Sequence, residues 1–177
     1  MHKLILLLYV LLWSGSTMAD DGEALFFYNS GDYVAAAIGF STLAEQGNAK
    51  SQYNLGQMYE RGQGVPQDSR VAFKWYRMAA EQGYASAQYH IGLMYDQGKG
   101  VSQNYMLGVE WLCKAAEQGN ADAQSRLGFM YEYGLSVTKD KNKALYWYGK
   151  AAEQGDKDAL NKLNGTYDNY EDASYSA

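Results

Sequence analysis

The side chains that carry most enzymatic chemistry are scarce in this chain of 177 residues. It contains two histidines, His2 and His90, and one cysteine, Cys113. Because His2 lies in an apolar N-terminal segment, a serine–histidine or cysteine–histidine pair could use only His90. A metal site built from several histidines is excluded for the same reason. The spacing around His90 places it on the exposed side of a helix, so we interpret it as a solvated or partner-facing side chain.

The other reactive groups have structural interpretations. The thiol of Cys113 is either an isolated thiol or a group that pairs with another molecule, since no second cysteine is present. Gly62-Gln-Gly-Val is not followed by the Gly-Lys-Ser/Thr that holds nucleotide phosphates. Carboxylates recur at helix caps and exposed helix ends, at Asp68, Asp140, Glu81, Glu117 and Glu153. We therefore expect no catalytic residue, no metal site and no cofactor.

These residues lie within an internal repeat. Ala-Ala-Glu-Gln-Gly occurs at Ala79–Gly83, Ala115–Gly119 and Ala151–Gly155, and a near copy occupies 43–47. Successive copies begin 36 residues apart. A fixed period of this length is typical of stacked supersecondary units. In each copy an amphipathic pattern such as Gln52, Leu55, Gly56 and Tyr59 predicts a first helix, and a second pattern of aromatics and alanines predicts another.

Glycines and capping residues delimit these helices. A glycine falls in the middle of every first helix: Gly56, Gly92 and Gly128. Such a glycine costs about 1 kcal/mol relative to alanine, so we expect a neighbouring helix backbone to approach closely there. A second glycine is predicted to end the first helix in the left-handed conformation: Gly62, Gly98 and Gly134. An N-cap residue is predicted to begin each second helix: Asp68, Asn104 and Asp140.

The N-terminus and the net charge restrict location and partners. Lys3 precedes ten apolar residues at 4–13 and a small-residue junction ending at Ala19. This pattern predicts a secretory signal peptide cleaved after Ala19, because ten helical residues span only about half a bilayer core. Loss of Lys3 changes the formal charge from −5 to −6. An acidic body of this kind lacks the basic surface needed for nucleic acid, and we expect no membrane insertion after cleavage.

The repeat and its flanks predict an all-α solenoid of stacked antiparallel helix hairpins. The first hairpin lacks the loop of the later copies, so we expect a tight turn there, and the tail after 167 is acidic and aperiodic. The predicted parts are a signal peptide at 1–19, an N-terminal hairpin at 20–48, repeats at 49–84, 85–120 and 121–156, a capping helix at 157–167 and a disordered tail at 168–177.

The repeats resemble the Sel1-like repeat, a relative of the tetratricopeptide repeat. The shared pattern is Ala-x-Ala-Gln-x-x-Leu-Gly-x-x-Tyr, then Gly-x-Gly-Val, Asp and Ala-x-x-Trp-Tyr-x-x-Ala-Ala-Glu-Gln-Gly. Ser51, Ser136 and Asn104 depart from it. The resemblance implies an α/α superhelix that binds other proteins, and exported bacterial members are linked to signalling, envelope stress and host contact. One branch, described as binding or hydrolysing β-lactams, carries cysteine pairs that this chain lacks.

One side of the first helices differs between the copies and is our candidate binding surface. Each residue of an α-helix is rotated by 100° from the one before it, so this side lies opposite the residues that recur in every copy, such as Gln52, Leu55 and Gly56. Aromatic and arginine side chains in a groove are typical binding hot spots, so the first hypothesis is that these side chains bind a partner. The alternative hypothesis is that they pack between neighbouring helices and bind no partner. The candidate residues are Tyr53, Asn54, Gln57, Arg61, Tyr89, His90, Leu93, Gln97, Arg126, Phe129 and Tyr133, with Lys50, Ser86, Asp122 and Ser125 at the same side.

Two functional hypotheses follow. The first is a non-enzymatic adaptor, periplasmic or secreted, that holds an unidentified protein or peptide in a concave groove, with a regulatory or host-contact use. The second is a hydrolase or binder of cell-wall or β-lactam compounds, by analogy with the cysteine-rich branch. The absence of cysteine pairs and the dependence on His90 alone argue against the second. Self-association through exposed aromatic side chains is a further expectation.

Overall fold

The computed structural model describes residues 21–174, with side chains as far as residue 165, and this part of the chain is all-helical. The predicted fold class is confirmed. The predicted signal peptide at 1–19 lies outside the described residues. The helices are α1 (Asp21–Ser30), α2 (Tyr33–Glu45), α3 (Ala49–Arg61), α4 (Ser69–Glu81), α5 (Ala85–Gln97), α6 (Tyr105–Glu117), α7 (Ala121–Tyr133), α8 (Lys141–Glu153) and α9 (Lys157–Ser174).

The helices pack as consecutive pairs. Within a pair the two helices lie against each other, and the second helix of each pair also packs on the first helix of the next. The turn between α1 and α2 consists only of Gly31 and Asp32, with Gly31 at φ +86°. In the three later pairs this connection is longer, and Val65, Val101 and Val137 in those loops pack against the buried clusters.

The predicted helix boundaries of the repeats are confirmed by their cap geometry. The Asp68 carboxylate accepts hydrogen bonds from the Arg70 and Val71 amides at 2.8 and 3.1 Å. Asn104 and Asp140 accept one each, at 3.1 and 3.0 Å. These bonds satisfy amides that have no partner within the helix. The first helices end as predicted at glycines with positive φ: Gly62, Gly98 and Gly134.

Three glutamine pairs, each with a buried glutamine on the first helix and an exposed one at the end of the second, explain the repeated phrase. Gln52 of α3 donates to the Ala44 carbonyl of the preceding pair at 3.0 Å. Its own carbonyl oxygen accepts from Gln82, the glutamine of Ala-Ala-Glu-Gln-Gly, at 2.7 Å. The same arrangement recurs at Gln88 with Gln118 and at Gln124 with Gln154. Since a buried amide without partners costs about 1–3 kcal/mol, both glutamines are required in every copy.

The mid-helix glycines mostly accommodate side chains, which corrects the prediction of close helix backbones. A Cβ on Gly56 would lie 2.8 Å from the Tyr76 ring, and one on Gly128 would lie 2.6 Å from the Tyr148 ring. Only at Gly92 does a backbone approach, with the Gly108 carbonyl 3.0 Å from the added Cβ. The reason is the residue that faces each glycine. In the first and third repeats a tyrosine ring fills the space left by the missing side chain, which we call the notch. In the second repeat Leu112 and Gly108 face Gly92 instead.

The C-terminal helix corrects the predicted end of the array. Helix α9 continues to Ser174, past the predicted boundary at 167 and into the segment predicted to be disordered. No glycine or proline follows Gly165 in this helix, so nothing in the local sequence stops it. Residues 175–177 lie outside the described part. Within residues 21–174, no helix has both the length and the apolar character that crossing a bilayer requires.

Candidate partner-binding surface

The outward side chains of α3, α5, α7 and α9 form one continuous surface, which we call the first-helix surface. Each pair of neighbouring first helices meets at a seam, and an acid of one helix faces a base of the next. The acids recur with the repeat period at Glu60, Asp96 and Glu132, and the facing bases recur with the same period at His90, Arg126 and Lys162. These facing acid and base side chains thus join successive repeats along the surface.

The first seam, between α3 and α5, centres on a half-buried carboxylate. Glu60 accepts hydrogen bonds from Tyr76 at 2.7 Å and from Lys99 at 2.8 Å, and the Nδ1 atom of His90 lies 3.6 Å away. Burial alone raises the pKa of Glu60, but the bonds from Lys99 and Tyr76 outweigh burial and set its pKa below the ordinary value. Burial, and then the bond to Glu60, raise the pKa of Tyr76.

His90 is not the exposed side chain that the sequence predicts. Only 21 % of its side chain is exposed, and its ring stacks on Tyr76 with centroids 4.7 Å apart. Tyr53 and Tyr89 lie against it at 5.6 and 5.5 Å. Burial lowers the pKa of His90, and the charge of Glu60 opposes this effect only in part. The cause of the error is the large Tyr76 ring of the second helix, which reaches the first-helix surface through the notch at Gly56.

The second and third seams use permanent cations. Arg126 of α7 donates to Asp96 of α5 at 2.7 Å. In the third seam, between α7 and α9, Lys162 lies 3.0 Å from Glu132 and donates to Tyr133 at 2.9 Å. Glu132 also accepts a bond from Tyr148 at 2.7 Å, as Glu60 does from Tyr76.

The structure divides the predicted site residues by exposure. Most are half-buried: Tyr53, Asn54, Gln57, Tyr89, His90, Leu93, Arg126 and Phe129. Five of these contact neighbouring helices: Tyr53, Tyr89, His90, Arg126 and Phe129. The exposed ones are Arg61, Gln97 and Tyr133. Gln57 donates to the Tyr53 hydroxyl at 2.8 Å within α3 itself. The hypothesis that these side chains pack between helices therefore describes a large part of the set, although none of the eight is fully buried.

A pocket of about 600 Å³ opens on the C-terminal half of the first-helix surface, between α7 and α9. It brings together three of the predicted residues: Tyr89, Arg126 and Phe129. The other predicted residues do not line it. Asp122 and Ser125, noted at the variable side in the sequence, complete the α7 wall.

Five lining residues escaped the sequence prediction: Tyr148, Asp156, Asp158, Asn161 and Lys162. Three of them lie on α9, one repeat period after Asp122, Ser125 and Arg126. The 36-residue period could have identified these three residues if the candidate surface had been extended to the last helix. Tyr148 could not be found in this way, because its spacing on the second helix indicates a core residue.

Within the described residues, the surface shows neither a histidine-activated nucleophile nor a metal cluster. No hydrogen bond joins His90 to a serine, threonine or cysteine side chain there. Burial raises the pKa of Cys113, which disfavours the reactive thiolate. No group of three histidine, cysteine, aspartate or glutamate side chains in this part of the chain has the geometry to hold a metal ion.

Comparison with known proteins decides the family. The family model of the Sel1 repeat matches residues 49–84, 85–120 and 121–156, which together make up more than half of the chain. The chain belongs to the Sel1 repeat family. Sel1 repeats act as protein–protein interaction modules.

Solved structures and curated relatives agree with this membership. A Sel1 repeat protein from Oxalobacter formigenes is 38 % identical, with a TM-score of 0.78 over 81 % of this chain and 59 % of the other. The c5321 protein, a protective antigen present in uropathogenic Escherichia coli strains, is 44 % identical, with a TM-score of 0.71 over 77 % of this chain and 29 % of the other. The component HRD3A of an ERAD-associated E3 ubiquitin-protein ligase from Arabidopsis thaliana is 35 % identical over 37 % of this chain and 11 % of its own length. This Sel1 repeat protein thus spans only part of each relative.

Proposed function

We propose that this Sel1 repeat protein is a non-enzymatic adaptor that binds a segment of another protein on its first-helix surface. The observation that carries the proposal is the pocket between α7 and α9, where side chains that vary between the repeats surround about 600 Å³ of open space. A pocket with aromatic walls and a few polar groups is the usual form of a binding site. Most scaffold residues of the repeats, in contrast, are used in glutamine bonds, caps and notches, and only Tyr148 and the N-cap Asp156 also line the pocket.

The proposed adaptor acts outside the cytoplasm, in the periplasm or beyond the cell, as a regulatory or host-contact factor. The support for this location is the basic, apolar and small-residue order of residues 1–19. Mass spectrometry of the protein purified from cell fractions tests it. Cleavage predicts an N-terminus at Asp20 in the periplasmic or extracellular fraction, whereas a cytoplasmic protein that retains residues 1–19 would contradict this location.

The binding surface is tested by photo-crosslinking in cells that express the protein. A photoreactive amino acid is introduced at Gln97 or Arg61, which are exposed on the first helices. The matched controls carry it at Lys74 and Asn142, which are exposed on the second helices. We expect the same crosslinked protein from both first-helix positions and none from the controls. Crosslinks from the second-helix positions alone would contradict the proposal.

A further inference from the structure

The cations of the α7–α9 pocket already have acidic partners. Arg126 donates to Asp96 at 2.7 Å, and Lys162 lies 3.0 Å from Glu132. The side chains of Arg126 and Lys162 are 34 % and 37 % exposed, so both pairs are partly shielded from solvent. Each positive charge is thereby largely neutralised within the protein and has little attraction left for an anionic ligand.

Three further carboxylates line the same pocket: Asp122, Asp156 and Asp158. Among the described side chains, no lysine, arginine or histidine forms an ion pair with any of them. The negative charge of Asp122 contributes, after burial, to raising the pKa of Tyr89 in the pocket wall. The pocket as a whole is therefore electronegative, in keeping with the net charge of the chain, and favours a cation.

The walls of the pocket suit a long basic side chain better than a small metal ion. Tyr89 and Phe129 present half-buried aromatic surface beside the carboxylates. Aromatic faces attract lysine and arginine cations and also cover the alkyl stems of these side chains. Phe129 already neighbours two cations of the protein itself, Arg126 at 5.7 Å and Lys162 at 6.0 Å from the ring centroid.

The surface is proposed to bind a segment of another protein, so the carrier of this cation is a lysine or arginine side chain of a polypeptide.

We propose that the pocket binds a lysine or arginine side chain from an extended segment of the partner protein. The carboxylates of Asp122 and Asp158 neutralise the bound cation, and the rings of Tyr89 and Phe129 cover its stem. This inference rests on the proposed function, because it specifies the partner of the same surface.

The test selects random phage-displayed peptides on the immobilised protein. We expect the enriched peptides to share a lysine or arginine, and one of them is then synthesised for affinity measurements. The double variant Asp122→Asn/Asp158→Asn removes two charges from the pocket and is expected to weaken binding about fivefold or more. The control Glu45→Gln/Glu117→Gln removes the same charge from exposed positions on the second helices α2 and α6 and is expected to leave the affinity unchanged.

The possible failures are distinguishable. Enriched peptides without a basic residue, or full affinity in the Asp122→Asn/Asp158→Asn protein, would overturn the inference and leave the adaptor function standing. Equal weakening in both double variants would indicate attraction to the overall acidic charge, which also overturns it. If no peptide is enriched at all, both the inference and the proposed peptide-binding function are contradicted. Thermal melting of each variant verifies that the fold is retained.

Discussion

The first and third seams of the first-helix surface contain the same acid and the same tyrosine but differ in their base. Glu60 and Glu132 occupy equivalent positions, and each accepts a tyrosine hydroxyl at 2.7 Å. In the first seam the base is His90, whereas in the third it is Lys162. The first acid is also drier, with 19 % of its side chain exposed against 34 % for the second.

This difference shows how one substitution changes the character of a repeated contact. A lysine at the base position keeps its charge at any physiological pH. The half-buried His90 instead favours its neutral form, because burial lowers its pKa from 6.5. The first seam is therefore held mainly by packing of the His90 and Tyr76 rings, with Lys99 as the added cation. The third seam is held by an open ion pair.

The largest expected effect is the loss of a seam tyrosine. Tyr76 is fully buried, fills the notch at Gly56 and stacks on His90. We expect Tyr76→Ala to reduce the free energy of unfolding by about 4 kcal/mol, as truncation of a buried aromatic does. Tyr148→Ala is expected to cost about 3 kcal/mol, since that ring has no histidine stacked on it. Urea denaturation measures both, and a loss below about 1 kcal/mol in Tyr76→Ala would contradict the packing of the first seam.

The notch glycines provide the next test. Gly56→Ala or Gly128→Ala would push a Cβ into a buried tyrosine ring, and overpacking of this kind costs about 1–3 kcal/mol. Gly149→Ala is the matched control, because no heavy atom lies within 4 Å of its added Cβ on helix α8. We expect this control to stabilise the protein by about 0.5–1 kcal/mol through helix propensity. Chemical denaturation of the three variants measures whether a glycine that faces a tyrosine ring differs from one in an open part of a helix. Destabilisation by Gly149→Ala would contradict this difference.

The pH dependence of stability separates the two bases. The folded-state pKa of His90 is lowered from 6.5, so the unfolded chain binds a proton more tightly, and stability falls as the pH drops through about 6.5. The contribution of Glu60, whose pKa is lowered from 4.5, is lost only at more acidic pH. We expect His90→Gln to flatten the melting temperature between about pH 7 and pH 5.5. Lys162→Gln is the control and should leave this pH slope unchanged.

The smallest expected effect concerns the exposed ion pair of the third seam. Lys162→Ala is expected to cost about 0.5 kcal/mol, with the difference shrinking at high salt, as for surface pairs in general. Glu60→Gln should cost more, about 1–2 kcal/mol, because it weakens the bonds from Tyr76 and Lys99 in a drier site. Thermal melts at low and high salt compare the two, and equal costs would remove the proposed contrast between the seams.

The repeat period was sufficient to predict the architecture. Caps that recur in each repeat, such as Asp68, and left-handed glycines, such as Gly62, each indicate one local conformation, so the helix boundaries within the repeats follow from the sequence alone. The role of the paired glutamines was missed, since Gln52 and Gln82 belong to different helices and meet only after folding. The notch at Gly56 was assigned to the wrong neighbour for the same reason.

The candidate surface was predictable only in part. Helical periodicity correctly placed Arg61, Gln97 and Tyr133 on the outside of the first helices. It could not show that Tyr76 reaches through the notch and covers His90, because that depends on the packing of a second helix. The pocket lies partly on α9, where Asp158, Asn161 and Lys162 continue the repeat positions of α7, although the conserved pattern around them has faded.

The most direct test of the account is hydrogen–deuterium exchange of the protein with and without a bound peptide obtained from the selection. If the first-helix surface holds the partner, added protection will concentrate in α5, α7 and α9. The second helices α4, α6 and α8 will then show little change. Protection confined to those second helices, with α7 and α9 unaffected, would contradict the central claim that the first-helix surface binds the partner.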